Sequence, residues 1–188
     1  MTEPRRMMLF IDGENLVMRY QAMKEKDLIP RPNISHRVDT YVWLPTIYIS
    51  DHYQIIRAHY YTSTSGDEEK ISLINEELKD MSVKVIMRSE RHDVYEHNLY
   101  PVVFRRPGNS KKVKVVDIQM TVDILSHVYQ DNIDVVYLIS GDGDYKAVIE
   151  EVIRRGKQVH IGAFSSGLNP VLKRLADKFI DLDKEFFE

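Results

Sequence analysis

Short apolar runs alternate along this chain with segments whose apolar residues recur at helical spacing, and that rhythm limits the fold more than any other feature. Residues 7–11 are such a run, ending in Asp12-Gly13, and Leu16, Val17, Tyr20 and Met23 then follow at helical spacing across 14–24. Next come a strand-like stretch at 54–62, an amphipathic helix over 68–79 with Ile71, Ile74 and Leu78 on one face, and a short strand at 83–87. The pattern resumes with a helix over 115–129, a strand at 135–139 and a helix over 145–155 stopped by Gly156. A strand at 158–164, a helix over 170–178 with proline in its first turn, and a strand at 179–182 complete it. Such alternation implies an α/β protein with a mainly parallel sheet covered by helices on both faces.

Two stretches interrupt the rhythm. Mixed apolar residues around Pro45 predict a kinked or broken helix over 38–48. Residues 94–106 read as a hairpin or an extended excursion, closing in Pro107-Gly108-Asn109-Ser110, so 89–113 is expected to be an irregular or hairpin insertion. No repeat, low-complexity tract or Gly/Ser linker divides the chain, and 1–188 is expected to form one domain.

A chain of 188 residues can build a sizeable core without staples. No apolar run approaches the ~20 residues of a membrane span, which removes membrane roles. The two arginines before residue 7 lead straight into a short apolar run broken by Asp12, unlike a signal peptide, and a cytoplasmic location is expected. The lack of cysteine excludes disulfides, thiolate catalysis and cysteine-bound zinc, so a metal here would take oxygen or imidazole ligands. A net charge of -3 argues against a protein that coats nucleic acid, but a cation-binding acidic cluster is compatible with it.

In open α/β sheets ligands gather beyond the carboxyl ends of the strands, where the strand order reverses. Asp12 ends the first strand, Asp142 and Asp144 directly follow the strand at 135–139, and Asp117 opens a helix expected to begin at the same edge. Converging carboxylates repel one another unless a cation is present. Mg²⁺ suits such oxygen donors and can activate water and stabilise charge on a phosphodiester. A lone Asp after a strand is often only a helix cap, and Asp144 sits where a cap is expected; several acids at one edge favour coordination. Asp123, six residues past Asp117, falls on another helical face roughly 9 Å along the axis, and is expected to orient substrate or support the ligands from behind. Asn15 can orient Asp12 or a phosphate, or simply cap the first helix, and Ser140 can donate to a carboxylate or phosphate, or merely close its strand.

At these residues the sequence resembles a known family. Phe10-Ile11-Asp12-Gly13-Glu14-Asn15-Leu16, then Lys114-Val115-Val116-Asp117 with Asp123, then Leu138-Ile139-Ser140-Gly141-Asp142-Gly143-Asp144-Tyr145 is similar to the NYN, or LabA-like, branch of the PIN-domain superfamily. The resemblance covers nearly the whole chain, including Gly156-Lys157-Gln158-Val159. It implies a three-layer α/β/α PIN-like fold, Mg²⁺ or Mn²⁺ dependence and RNA as substrate. By position it implies Asp12, Asp117 and Asp142 as the core metal-binding acids, with Asp144 and Asp123 as auxiliaries. Two features depart from the pattern: Val116 stands where glycine is common, and the 94–109 connection is long, which bears on substrate choice.

Arg105, Arg106, Lys111, Lys112 and Lys114 concentrate positive charge just before the helix carrying Asp117, and are expected to contact the phosphate backbone of single-stranded RNA. The bland alternative is a solvated loop. Tyr95, Tyr100 and Phe104 can stack on unpaired bases, although anchoring the insertion to the core is the stronger expectation. His92, His97, His127 and His160 show no metal-binding spacing, and no P-loop or dinucleotide fingerprint is present. An aspartyl-phosphate phosphatase needs an acid of Asp type two residues after its nucleophile, and position 14 is Glu. The rival from another class is a non-catalytic module that keeps the fold to bind RNA or protein. The chain leaves open a homodimer or a protein partner.

Overall fold

The computed structural model describes residues 3–45, 48–50, 52–86, 94–108, 110 and 113–188. In chain order the elements are β1 (Arg5–Asp12), α1 (Gly13–Lys24), β2 (Ser35–Arg37), β3 (Tyr41–Trp43), β4 (Tyr48–Ser50), β5 (Tyr53–Thr64), α2 (Glu68–Lys79), β6 (Ser82–Ile86) and β7 (Val94–Arg105). Then follow α3 (Lys114–Tyr129), β8 (Val135–Ile139), a 3-10 turn (Gly143–Tyr145), α4 (Lys146–Arg154), β9 (Gln158–Ala163), α5 (Pro170–Leu175), β10 (Lys178–Asp181) and α6 (Leu182–Phe186).

Among the described residues the main sheet runs in the order β10-β9-β8-β1-β5-β7-β6-β4. From β10 to β7 every neighbouring pair is parallel, whereas β6 is antiparallel to β7 and β4 is parallel to β6. The strand β1 lies between β5 and β8, so the chain leaves it toward one side of the sheet and later returns on the other. That reversal places the topological switch point at the carboxyl ends of β1 and β8.

Side chains alternate across each strand, and the two sheet faces bury different helices. Met7, Leu9 and Ile11 of β1 and Val135, Tyr137 and Ile139 of β8 point into a core with Leu16, Val17 and Tyr20 of α1, Ile74 and Leu78 of α2, and Phe186 of α6. Met8 and Phe10, with Val136 and Leu138, face Val116, Met120 and Ile124 of α3 and Val148, Ile149 and Val152 of α4. Both faces of β1 are thus covered, which is why its sequence is a continuous apolar run rather than an alternating one. The result is the three-layer α/β/α arrangement expected from the sequence.

Two expectations are corrected. Among the described residues of 38–48 there is no helix; β2 and β3 pair as an antiparallel hairpin with Asp39 at φ 51 in its turn. Tyr41, Val42, Trp43 and Leu44 are all buried, an uninterrupted apolar run that suits a strand with no exposed face. The Tyr60 hydroxyl donates to the Val42 carbonyl and accepts from the Val42 N–H, and the Trp43 indole donates to the Ser82 carbonyl, so side chains satisfy what a helix ladder would have satisfied. Second, the stretch expected to be a hairpin or an extended excursion is one long strand, β7, inside the main sheet and antiparallel to β6, while residues 89–93, 109, 111 and 112 of the expected 89–113 insertion lie outside the described residues. The first half of β7 pairs with β6 and its second half with β5, so among the described residues each part has a neighbour on one side only, the setting in which a strand tolerates a residue such as Pro101.

Candidate active site

The site forms where β1 and β8 end. Asp12 closes β1 and caps α1: its Oδ1 accepts the Asn15 N–H at 3.0 Å, while Oδ2 accepts the Ser140 hydroxyl at 2.9 Å. The carboxylate is fully buried. Ser140, the residue after β8, also accepts the Asp142 N–H at 3.1 Å, so one hydroxyl bridges the ends of both strands. The Asn15 side-chain oxygen accepts the Gly141 N–H at 3.3 Å and adds a second tie across the same gap. Asn15 and Ser140 therefore orient the strand ends, and the cap of α1 is Asp12 rather than Asn15.

Asp142, half-buried, caps the 3-10 turn by accepting the Asp144 N–H at 3.0 Å. The cap expected of Asp144 belongs to Asp142 instead, and Asp144 points outward, exposed. The next residue, Tyr145, is buried and donates its hydroxyl to Asp117 Oδ1 at 3.0 Å. Burial, then the charges of Asp12 and Asp117, then the Asp117 hydrogen bond and the Asp142 charge push this phenol far above its ordinary range, so it stays protonated. Tyr145 thus touches Asp117 directly and feels the charges of Asp12 and Asp142 from two other parts of the chain. Among the described residues no three His, Asp or Glu side chains are nevertheless gathered tightly enough to hold an ion in common.

Asp117 lies in the first turn of α3, which has no side-chain cap. Asp123, two turns on, faces elsewhere: it accepts the buried Tyr61 hydroxyl at 2.8 Å and the Gln119 amide at 2.9 Å. Tyr61 sits beside Asp12 in the β1–β5 register. Asp123 therefore anchors α3 to the sheet, in keeping with a position away from the acids.

Glu14 is the residue that sequence reasoning passed over, having used it only to argue against a phosphatase. It is buried, accepts a short hydrogen bond from the Ser63 hydroxyl and accepts the Val113 N–H at 3.1 Å. Burial raises its pKa; the Ser63 and Val113 hydrogen bonds and the Arg106 charge pull it down, and Asp117 pushes it up. The available signal was position, since Glu14 follows the strand-end Asp12 within the same Asp-Gly-Glu-Asn run.

The basic stretch divides. Arg106 is only 7% exposed and donates to the carbonyls of Ser63, at 3.0 Å, and Asp39. The expectation that it lies on a phosphate-binding surface is corrected: turned inward beside Glu14, its guanidinium ties β5 and the β2–β3 turn together. Arg105 is exposed and pairs with Glu68 at 2.7 Å. Lys114 is exposed at the start of α3, and Lys111 and Lys112 lie outside the described residues. Phe104 packs against the second core, while Tyr95 and Tyr100 are exposed and Arg57 stacks over the Tyr100 ring at 4.3 Å. Of the four histidines, His127 and His160 sit among aromatic rings, His97 lies on β7, and His92 is outside the described residues.

A mostly parallel sheet with acids at its switch point is consistent with a PIN-like class, and the sequence shows the family: the chain belongs to the NYN domain family, whose profile matches residues 6–183. NYN domains are generally nucleases, act on nucleic acid and typically use divalent metals. The low amplitude and bright protein LabA of Synechococcus elongatus is 28% identical over 184 residues, covering 96% of this chain and 85% of LabA. An uncharacterized protein of Methanocaldococcus jannaschii is 32% identical over 71 residues, 38% of this chain and 30% of that protein. A crystal structure of a Vibrio parahaemolyticus protein of unknown function superimposes with a TM-score of 0.57 at 18% identity, covering 100% of both chains, and so shares the fold. Among the described residues no helix is long and apolar enough to cross a membrane.

Proposed function

We propose that this protein is a metal-dependent ribonuclease that hydrolyses phosphodiester bonds of single-stranded RNA where β1 and β8 end. The observation that supports the reading is the hydrogen-bonded chain at the switch point of the sheet, in which Ser140 links the Asp12 carboxylate to the Asp142 backbone and Tyr145 holds Asp117. The donor set fits Mg²⁺ or Mn²⁺: all ligands are carboxylate oxygens, and Mg²⁺ keeps several waters and takes only one or two carboxylates directly. Acids spaced around a centre serve such an ion without forming a closed cage. Asp12, Asp117 and Asp142 would hold it, with Asp144 at the rim, and when bound it would supply charge neutralisation and an activated water.

The chain's own groups set the stage. Ser140 donates to the Asp12 carboxylate and accepts the Asp142 backbone N–H, which ties the two strand ends together, and Asn15 locks the Gly141 backbone against α1. Tyr145 keeps its proton and directs Asp117. Lys114 and Arg105 offer positive charge to the RNA backbone at the entrance, and a cytoplasmic location fits that substrate.

A second reading has its own support. Both oxygens of Asp12 already accept hydrogen bonds, and no three acids are tightly grouped among the described residues, as a module that only binds RNA or protein would allow. Cleavage of end-labelled single-stranded RNA with Mg²⁺ or Mn²⁺ separates the two. Wild type is expected to cut, and Asp12→Asn and Asp142→Asn to lose about 10²-fold or more in rate, equivalent to several kcal/mol of transition-state charge stabilisation. Asparagine keeps a capping oxygen, so the helix starts survive the change. A wild type as inert as both variants, yet still able to bind RNA, would favour the binding module; the same assay on DNA tests the preference for RNA.

A further inference from the structure

Beside the acids a cleft of about 310 Å³ opens between α1 and the loops that follow β8 and β9. The nuclease reading uses Asp142 and Asn15 on one wall of it, but not Met18, Arg19, Leu168 or Asn169. Asn15, Met18 and Arg19 lie on one face of α1 by their spacing, with Arg19 one helical turn beyond Asn15.

The donors that line the cleft point toward an anion. The Arg19 Nε is buried and has no hydrogen-bond partner among the described residues, a costly state for a group that can only donate. Gly167, at φ 147, lies flat against that guanidinium, and any Cβ there would overlap it. Opposite, the Asn169 oxygen is engaged by the Val171 N–H at 2.9 Å, which turns its amide nitrogen toward Gly143, where again a Cβ would collide. The oxygen of Asn15 is likewise taken by Gly141, leaving its amide nitrogen as a donor. Amide and guanidinium N–H groups thus share a cleft with Asp142 and Glu14. Met18, 39% exposed, and Leu168 add apolar surface.

We propose that this cleft binds one unpaired nucleotide of the substrate strand, its phosphate held by Arg19 and Asn169 and its base against Met18 and Leu168, adjoining the phosphodiester that the acids cut. The space accommodates a single nucleotide and not a duplex, so the cleft selects bases that are free to leave a stack. A guanidinium suits phosphate because its fork of N–H groups matches the phosphate oxygens. The word substrate rests on the nuclease reading; the binding itself does not.

The test is titration of the full chain with adenosine 5′-monophosphate in EDTA, followed by calorimetry, with adenosine and inorganic phosphate as comparisons. The mononucleotide is expected to bind saturably and more tightly than either fragment. Arg19→Met, which keeps the apolar stem, is expected to weaken it by about tenfold or more, the size of one charge-assisted hydrogen bond. Asn169→Asp keeps the capping oxygen and replaces the donor with negative charge, so it should weaken binding too, and it decides the matter if Arg19→Met fails to fold. No saturable binding, or wild-type affinity in the folded variants, overturns the proposal. If RNA were not cleaved at all yet Arg19→Met abolished mononucleotide binding, the subsite would stand and the nuclease reading would fall. If cleavage proceeded with the same KM in Arg19→Met, the subsite would fall and the nuclease reading would stand.

Discussion

The Tyr145 hydroxyl donates to Asp117 Oδ1 across 3.0 Å, and this bond ties the start of α3 to the turn after β8. It joins two parts of the site whose acids are far apart in sequence, and it places a neutral donor where three negative charges approach. Tyr145→Phe keeps the ring and removes the donor. The loss expected is about 1.5–3 kcal/mol, the range for a hydrogen bond to a charged group. Urea unfolding with an unchanged slope would measure it, and a midpoint equal to wild type would show that the bond contributes nothing.

Divalent cations are expected to stabilise the fold through Asp12, Asp117 and Asp142. An ion at 100 times its dissociation constant adds about 2.7 kcal/mol, which in a domain of this size raises Tm by about 5–10 °C. Thermal scans with Mn²⁺ or Mg²⁺ should show the rise, EDTA should reverse it, and Asp142→Asn should lose most of it. A flat response up to millimolar ion would count against a metal at these acids.

Acid should destabilise the protein through His59. Its ring lies beside Phe10 and Tyr61, both ring nitrogens are buried without a hydrogen-bond partner among the described residues, and burial, then Arg57, lowers its pKa to about 4; Asp123 opposes this and His127 adds to it. The folded state therefore binds its proton less readily than the unfolded chain, whose histidine titrates near 6.5. Stability from this group is complete above that value and falls as pH drops from about 6.5 to about 4, by up to about 3 kcal/mol. Chemical unfolding across that window should show the decline, and His59→Phe should remove about half of it, because burial lowers His160 to about 4 as well; an equally steep decline in the variant would place the effect elsewhere.

Arg106 and Lys114 should respond in opposite ways. Arg106→Met removes a buried guanidinium that donates to the Ser63 and Asp39 carbonyls, and is expected to cost about 1–3 kcal/mol of stability. Lys114→Ala, at an exposed position, should leave stability within about 0.5 kcal/mol while reducing the salt dependence of RNA binding by about one phosphate contact. Unfolding and salt-titrated RNA binding on both variants check this. If Arg106→Met kept full stability, its inward role would be wrong.

Much of the fold and part of the site were legible in the sequence. The runs ending at Asp12 and at Ile139 declared buried parallel strands because a strand covered on both faces must be apolar throughout, and the sheet-edge rule then brought Asp12 and Asp142 together. The region 38–48 misled because Tyr41, Val42, Trp43 and Leu44 carry neither a helical nor a two-residue period when every face is buried. The strand β7 misled because each half answers to a different neighbour.

Local chemistry therefore determined which residues end strands, which begin helices, and that acids gather at one edge. The tertiary structure alone decided which way each side chain turns. Arg105 and Arg106 are adjacent in sequence, yet one reaches solvent and the other, just past the end of β7, is buried beside Glu14, where the Ser63 and Asp39 carbonyls receive its guanidinium. Asp117 and Asp123 share a helix, yet they take different tyrosines, Tyr145 and Tyr61, which lie 28 and 62 residues from their respective partners in the chain. Those pairings depend on long-range packing, and no local spacing of the sequence encodes them.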